Sequence, residues 1–201
     1  MFTLNEEQQM LKDAAKSFIQ EQSPVTRLRK VRDQNLDGFD KDLWKEIVDM
    51  GWTGILVPEE FGGSALGYLG LGVVLEEAGR TLAPSPLLST ALIGASALIL
   101  GGNAAQKGEY LPKIVDGSAI TALAVDEGPH HAPLKTALKA EKAGAGYKLT
   151  GKKMYVSEGH LATLLIVAAR TSGKAGEAKG ITLFLVPADA KGVKRTTLKT
   201  M

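Results

Sequence analysis

Tyr155 and Ser157 stand two residues apart in GKKMYVSEG (residues 151–159), a glycine-initiated segment followed by the apolar run LLIVAA at 164–169. Alternation along a strand sends these two side chains to one face and Met154 and Val156 to the other. An aromatic and a hydroxyl on one face can pack against a flat ring and hydrogen-bond its polar edge. A second cluster, DEGPHHAP at 126–133, closes another apolar run. Paired carboxylates such as Asp126 and Glu127 can do acid–base work, although Glu127 reads better as a tie for the loop that follows. His130 and His131 are adjacent, so in an extended loop they point apart. With His160 as the other histidine and no carboxylate at ligand spacing, a metal site is not expected.

Composition narrows the function classes. The chain has 201 residues, 44% of them apolar and 23% charged, and a formal net charge of +2. Scattered lysines on a nearly neutral chain make no case for nucleic acid or an anionic membrane as the main partner. The absence of cysteine excludes disulfides, thiolate metal ligation and a cysteine nucleophile. The start is polar and acidic (Asn5, Glu6, Glu7), and the most apolar stretch, 84–100, is short for a bilayer. No membrane insertion and a cytoplasmic location are expected.

The elements that must position these residues change character near Gly117. Before it the apolar spacing is helical. Thr3 to Glu6 reads as a capping box ahead of a stripe of Met10, Leu11, Ala14, Ala15, Phe18 and Ile19. A short helix over 25–32, a loop at 35–38, and a helix capped by Asp40 that buries Leu43, Trp44, Ile47 and Val48 come next. Further helices are predicted over 67–79, over 87–100 (apolar nearly all round, hence surrounded by neighbours) and over 109–115. After Gly117 strands are predicted at 120–125, 136–141, 147–150, 152–157, 164–169, 181–186 and 193–198. The loop at 172–179 reads as mobile, and the pairs Lys152-Lys153 and Lys194-Arg195 read as solvated strand edges. The fold class is therefore α+β: an all-α helical bundle over 1–117, then an antiparallel β-barrel or sandwich over 118–201. A last strand ending beside Met201 suggests a β domain that is incomplete or finished by another chain.

Several segments carry a family resemblance. GKKMYVSEG resembles the flavin-facing G-x-K-x-W-I-T/S-x-G segment of acyl-CoA dehydrogenases, with Tyr155 in place of Trp. Gly51-Trp52, Ile55 and PEEFGG at 58–63 resemble that family's G-x-x-G-I-x-x-P-E-E-Y-G-G. EEAGR at 76–80 resembles E-E-x-A-R, and QKGEYLP at 106–112 with Asp116-Gly117 resembles Q-K-x-x-Y-L-P-x-x-x-x-G. The family's T-E-P-x-x-G-S-D loop is replaced by 126–133, where Glu127 is retained and Asp126 takes the hydroxyl position.

The resemblance implies an FAD-dependent acyl-CoA dehydrogenase, seen as its helical domain and most of its middle β domain. It implies that Leu123, Val125, Asp126, Tyr155, Val156 and Ser157 meet the flavin, and that His131 and Ala132 meet the acyl-CoA substrate. It implies an electron-transfer flavoprotein or similar acceptor and a homo- or hetero-oligomeric assembly. The family's catalytic carboxylate belongs to a C-terminal helical domain, so no catalytic residue is assigned. Glu59, Glu60, Glu76 and Glu77 match structural positions. Two alternatives stand beside this reading: a non-catalytic structural subunit of a heteromeric dehydrogenase, and a relative resembling flavin monooxygenases or nitroalkane oxidases.

Overall fold

The computed structural model describes residues 4–34 and 38–198. The chain forms two compact units, residues 1–120 and 121–201.

In the first unit α1 (Glu6–Gln22) begins at Asn5, which forms a reciprocal capping box with Gln8. Asn5 supplies the side-chain acceptor, and Thr3, where the predicted box begins, lies outside the described residues. Ala15 and Ile19 are fully buried on this helix, whereas Met10 is exposed. Helices α2 (Val25–Asp33) and α3 (Lys41–Asp49) follow. Asp40 caps α3 by accepting from the amides of Asp42 and Leu43, both at 3.0 Å, and also receives a two-pronged bond from Arg27 at 2.7 and 3.0 Å. Its carboxyl is held down at about 2, first by the Arg27 hydrogen bonds and then by the capping amides, against the opposing effect of burial.

The PEEFGG segment packs tightly for a backbone reason. A Cβ on Gly63 would stand 2.0 Å from the Val57 carbonyl oxygen, so no larger residue fits without moving the chain. In α4 (Gly67–Arg80) Leu71 and Val74 are buried and Glu77 joins them, its carboxylate 3.0 Å from Arg80 Nε. Glu76 is bonded to Lys12 and Arg80. The segment predicted as one all-round apolar helix is instead a π-helical stretch, Leu88–Gly94, running into α5 (Ala95–Gly101). It buries Leu87, Ala91, Ala95 and Leu98 and leaves Leu88 and Leu100 exposed. The last helix, α6 (Ala104–Val115), starts five residues before the predicted one, because Asn103 and Gln106 form a second capping box.

The second unit corrects the antiparallel expectation: its sheet is mixed. The strands are β1 (Thr121–Ala124), β2 (Lys139–Ala143), β3 (Gly146–Thr150), β4 (Leu164–Arg170) and β5 (Ile181–Pro187). The hairpins β2–β3 and β4–β5 are antiparallel, but β1 runs parallel to β4 with Leu123 opposite Ile166. The reason is the connection. Parallel neighbours need a long crossover, and residues 125–163 supply one that carries the β2–β3 hairpin within it. β5 covers the whole of one edge of β4, so β1 and then β2, through Lys139 opposite Arg170, share the other. As the central strand β4 is buried along nearly its whole length, including Arg170. Residues 152–157 and 193–198, predicted as strands, join no sheet.

Candidate functional site

Residues 152–157 form an extended loop with a bend at Tyr155, whose φ is +54°. An aromatic held at positive φ is unusual and must be imposed by its surroundings. Its flanks are fixed. Gly151 abuts Leu138 so closely that a Cβ would stand 2.8 Å from Leu138 Cγ. The Met154 amide donates to the Asp126 carbonyl at 2.8 Å. After Ser157 the chain makes a turn through Leu161, and Arg195 donates to the carbonyls of Gly159, His160 and Ala162. The result is an outward Tyr155 and Ser157 with Val156 between them packed inward, without a strand, while Met154 is half-buried. Tyr155 is 57% exposed, Ser157 is exposed, and Val156 packs on the buried cluster of Ala124, Leu138, Val167 and Ala169.

Lys153 joins this loop to the end of β1. Its ammonium donates to the Val125 carbonyl and to Glu127, both at 2.7 Å, and its side chain is only 7% exposed. Glu127 also accepts from the amides of Ala137 and Leu138 at 2.9–3.1 Å. Burial would raise the Glu127 carboxyl, but Lys153 and the two amides outweigh it and hold the group below its ordinary value. Glu127 therefore ties the two ends of the loop that separates it from β2. Lys153 is no solvated strand edge, whereas Lys152, Lys194 and Arg195 are exposed, as expected, but lie in no strand.

Asp126 turns inward on the same loop. Its carboxylate accepts from the Ala132 amide at 2.9 Å and lies 3.0 Å from His131 Nδ1, and these contacts, His131 first, lower its pKa. A shallow depression of about 270 Å³ opens beside it, lined by Glu127, Gly128, Pro129, His130, Ala132 and Lys135. Among the described residues no group of three His, Asp or Glu side chains is placed to hold a metal.

Val125, Asp126, His131 and Ala132 thus share one loop, and the bonds of the Met154 amide and the Lys153 ammonium bring Tyr155, Val156 and Ser157 alongside it. Leu123 stands apart. Paired with Ile166, it faces the side of the sheet opposite Ala124 and Val167, against which Val156 packs. Sequence reasoning missed Lys153 and Arg170 as positioning groups. The signal for Lys153 was present, as the lysine inside the G-x-K segment.

An all-helical unit followed by a unit with a mixed sheet, the latter presenting an exposed aromatic and an exposed hydroxyl on one loop, defines a two-unit α+β protein. Residues 5–118 match the family described as "Acyl-CoA dehydrogenase, N-terminal domain" and residues 122–201 match "Acyl-CoA dehydrogenase, middle domain". The chain therefore belongs to the acyl-CoA dehydrogenase family. It is 37% identical over 189 residues to the mitochondrial isovaleryl-CoA dehydrogenase of Pongo abelii, covering 91% of this chain and 44% of that protein. Among solved structures it is similar to the ChsE4–ChsE5 complex from Mycobacterium tuberculosis, with 29% identity, a TM-score of 0.85, and coverage of 98% of this chain and 51% of that one. It is also similar to an acyl-CoA dehydrogenase complexed with FAD from Bacillus anthracis, with 25% identity, a TM-score of 0.82, and coverage of 98% and 34%. The chain spans about half the length of such relatives or less. Among the described residues no helix is long and apolar enough to cross a membrane.

Proposed function

We propose that this chain provides the helical and middle units of an FAD-dependent acyl-CoA dehydrogenase, which introduces a 2,3 double bond into an acyl-CoA thioester. The observation that carries the reading is the clamp of Lys153 on Val125 and Glu127, which holds Tyr155 and Ser157 outward beside the 126–132 loop. The residues fit a flavin ring. Tyr155 offers an exposed aromatic face, the Ser157 hydroxyl is exposed, and the negative charge of Asp126 is already engaged by His131 and the Ala132 amide.

When bound, FAD supplies the hydride acceptor. Tyr155 packs against the ring and the Ser157 hydroxyl donates to its polar edge, while Val156 anchors the loop from below. Val125, just after β1, supports the same region through its carbonyl, which holds Lys153. Asp126 keeps its charge turned to its own loop, where it fixes His131 and Ala132 as the segment facing the thioester. The reduced cofactor would be reoxidised by an electron-transfer flavoprotein or similar acceptor, and the working assembly would be a homo- or hetero-oligomer. The test is anaerobic: a FAD-loaded assembly containing this chain should lose its oxidised-flavin absorbance on adding isovaleryl-CoA. Retention of the yellow colour with every acyl-CoA tried would overturn the reading.

One observation favours a second reading, a structural subunit of a heteromeric dehydrogenase: the likeness to the ChsE4–ChsE5 complex spans nearly the whole chain. Replacing Ser157 separates the two, since a purely structural subunit should leave flavin reduction unchanged.

A further inference from the structure

Arg170, at the end of β4, is 7% exposed, yet among the described residues the acceptors around its guanidinium are main-chain carbonyls and not a carboxylate. Nε donates to Thr136 O at 2.8 Å and one terminal nitrogen to Leu134 O at 3.0 Å and Glu177 O at 3.1 Å. The other donates to Lys179 O at 2.9 Å and lies 3.5 Å from Ser172 O. A buried cation is costly unless its donors are used, and here the fork geometry of arginine uses them on two separate loops. Leu134 O is the meeting point, because the Gly176 amide also donates to it at 2.8 Å.

The segment predicted as a mobile loop is therefore bonded to the loop that carries His131, Ala132 and Lys135. Leu134 and Thr136, the two carbonyls Arg170 holds there, flank Lys135, which lines the depression together with Ala132. We propose that Arg170 is a positioning residue that joins the 172–180 loop to the 132–136 loop as one body, so that the outer loop sets the geometry of the substrate-facing one. Its consequence for substrate rests on the dehydrogenase reading; the coupling itself does not. Lysine keeps the charge but offers a single nitrogen that cannot span both loops.

The coupling is tested by amide exchange on the chain without ligand, comparing wild type with Arg170→Lys and Arg170→Ala. Loss of bonds to a charged donor should raise exchange roughly tenfold or more in peptides covering both 132–138 and 173–180, with the β2–β3 hairpin unchanged. Millimolar ethylguanidinium should restore protection in both peptides of Arg170→Ala. A rise confined to 173–180, or an equal rise throughout residues 121–201, would overturn the coupling, and should Arg170→Ala not fold, Arg170→Lys decides alone. In the FAD-loaded assembly Arg170→Lys should raise KM for isovaleryl-CoA several-fold, with kcat within about twofold. An unchanged KM despite uncoupled loops would overturn the positioning role. Failure of wild type itself to bind the thioester would overturn the dehydrogenase reading and leave the coupling standing.

Discussion

Lys153 Nζ lies 2.7 Å from Glu127 Oε1 and 2.7 Å from the Val125 carbonyl, so one buried ammonium joins the strand end and the loop that together present the candidate site. Removing it leaves a partly buried carboxylate with only two amide donors. Lys153→Met should cost about 2–3 kcal/mol in urea unfolding, and the double change with Glu127→Leu should recover much of that loss. A loss in the double variant equal to the sum of the two single losses would show that the two groups act independently.

Ser157 is exposed and bonded into no core, whereas Val156 packs on it. Ser157→Ala should slow flavin reduction in the FAD-loaded assembly while shifting the unfolding midpoint little. Val156→Asp should destabilise the second unit by several kcal/mol, roughly 3 or more, because it puts an unpaired charge against Ala124 and Val167. Stopped-flow reduction and thermal unfolding of the two variants check both halves.

Tyr155 has φ +54°, a conformation that glycine adopts freely and β-branched residues resist. Tyr155→Gly should leave stability within about 1 kcal/mol of the parent while weakening FAD binding through loss of the ring. Tyr155→Val should lose stability, by an amount on the order of 1–3 kcal/mol. Calorimetric unfolding, with FAD titration of the glycine variant, would show the two effects apart.

Asp40 supplies a pH handle in the helical unit. Its folded pKa of about 2 lies below its ordinary value, so its stabilisation is fully present above pH 4 and is lost as pH falls through 2. The contribution is at most about 2 kcal/mol. Asp40→Asn should remove that part of the acid sensitivity and lower stability at pH 7; an unchanged acid profile between pH 4 and 2 would contradict the role given to Arg27.

Gly63→Ala should destabilise the first unit even though the change adds one methyl, because that carbon meets the Val57 carbonyl at 2.0 Å. A loss of about 2 kcal/mol or more is expected in denaturant unfolding. A neutral result would mean that the PEEFGG segment can move.

The helical half was legible because its signals are local. Asp40 as a cap, and Leu43, Trp44 and Ile47 as a buried stripe, follow from spacing within one helix. Asn5 and Asn103, the caps of α1 and α6, are equally local signals, each paired with a glutamine three residues on. In the β half, strands β1, β4 and β5 were legible as apolar runs. Their relative direction was not, since a parallel pair depends on where a 39-residue connection returns.

The site divides along the same line. The residue types at Tyr155, Ser157 and Asp126, and their order along the chain, were set by the sequence and marked the family. Tertiary structure alone decided that 152–157 is a loop, that Lys153 is buried on Glu127, and that Arg170 spends its donors on two loops, one of them distant in sequence. The Lys153–Glu127 and Arg170–Leu134 contacts join residues 26 and 36 positions apart. Periodicity reports which face a residue takes within its own element; which distant carbonyl or carboxylate a buried cation must find is fixed only when the chain has closed around it.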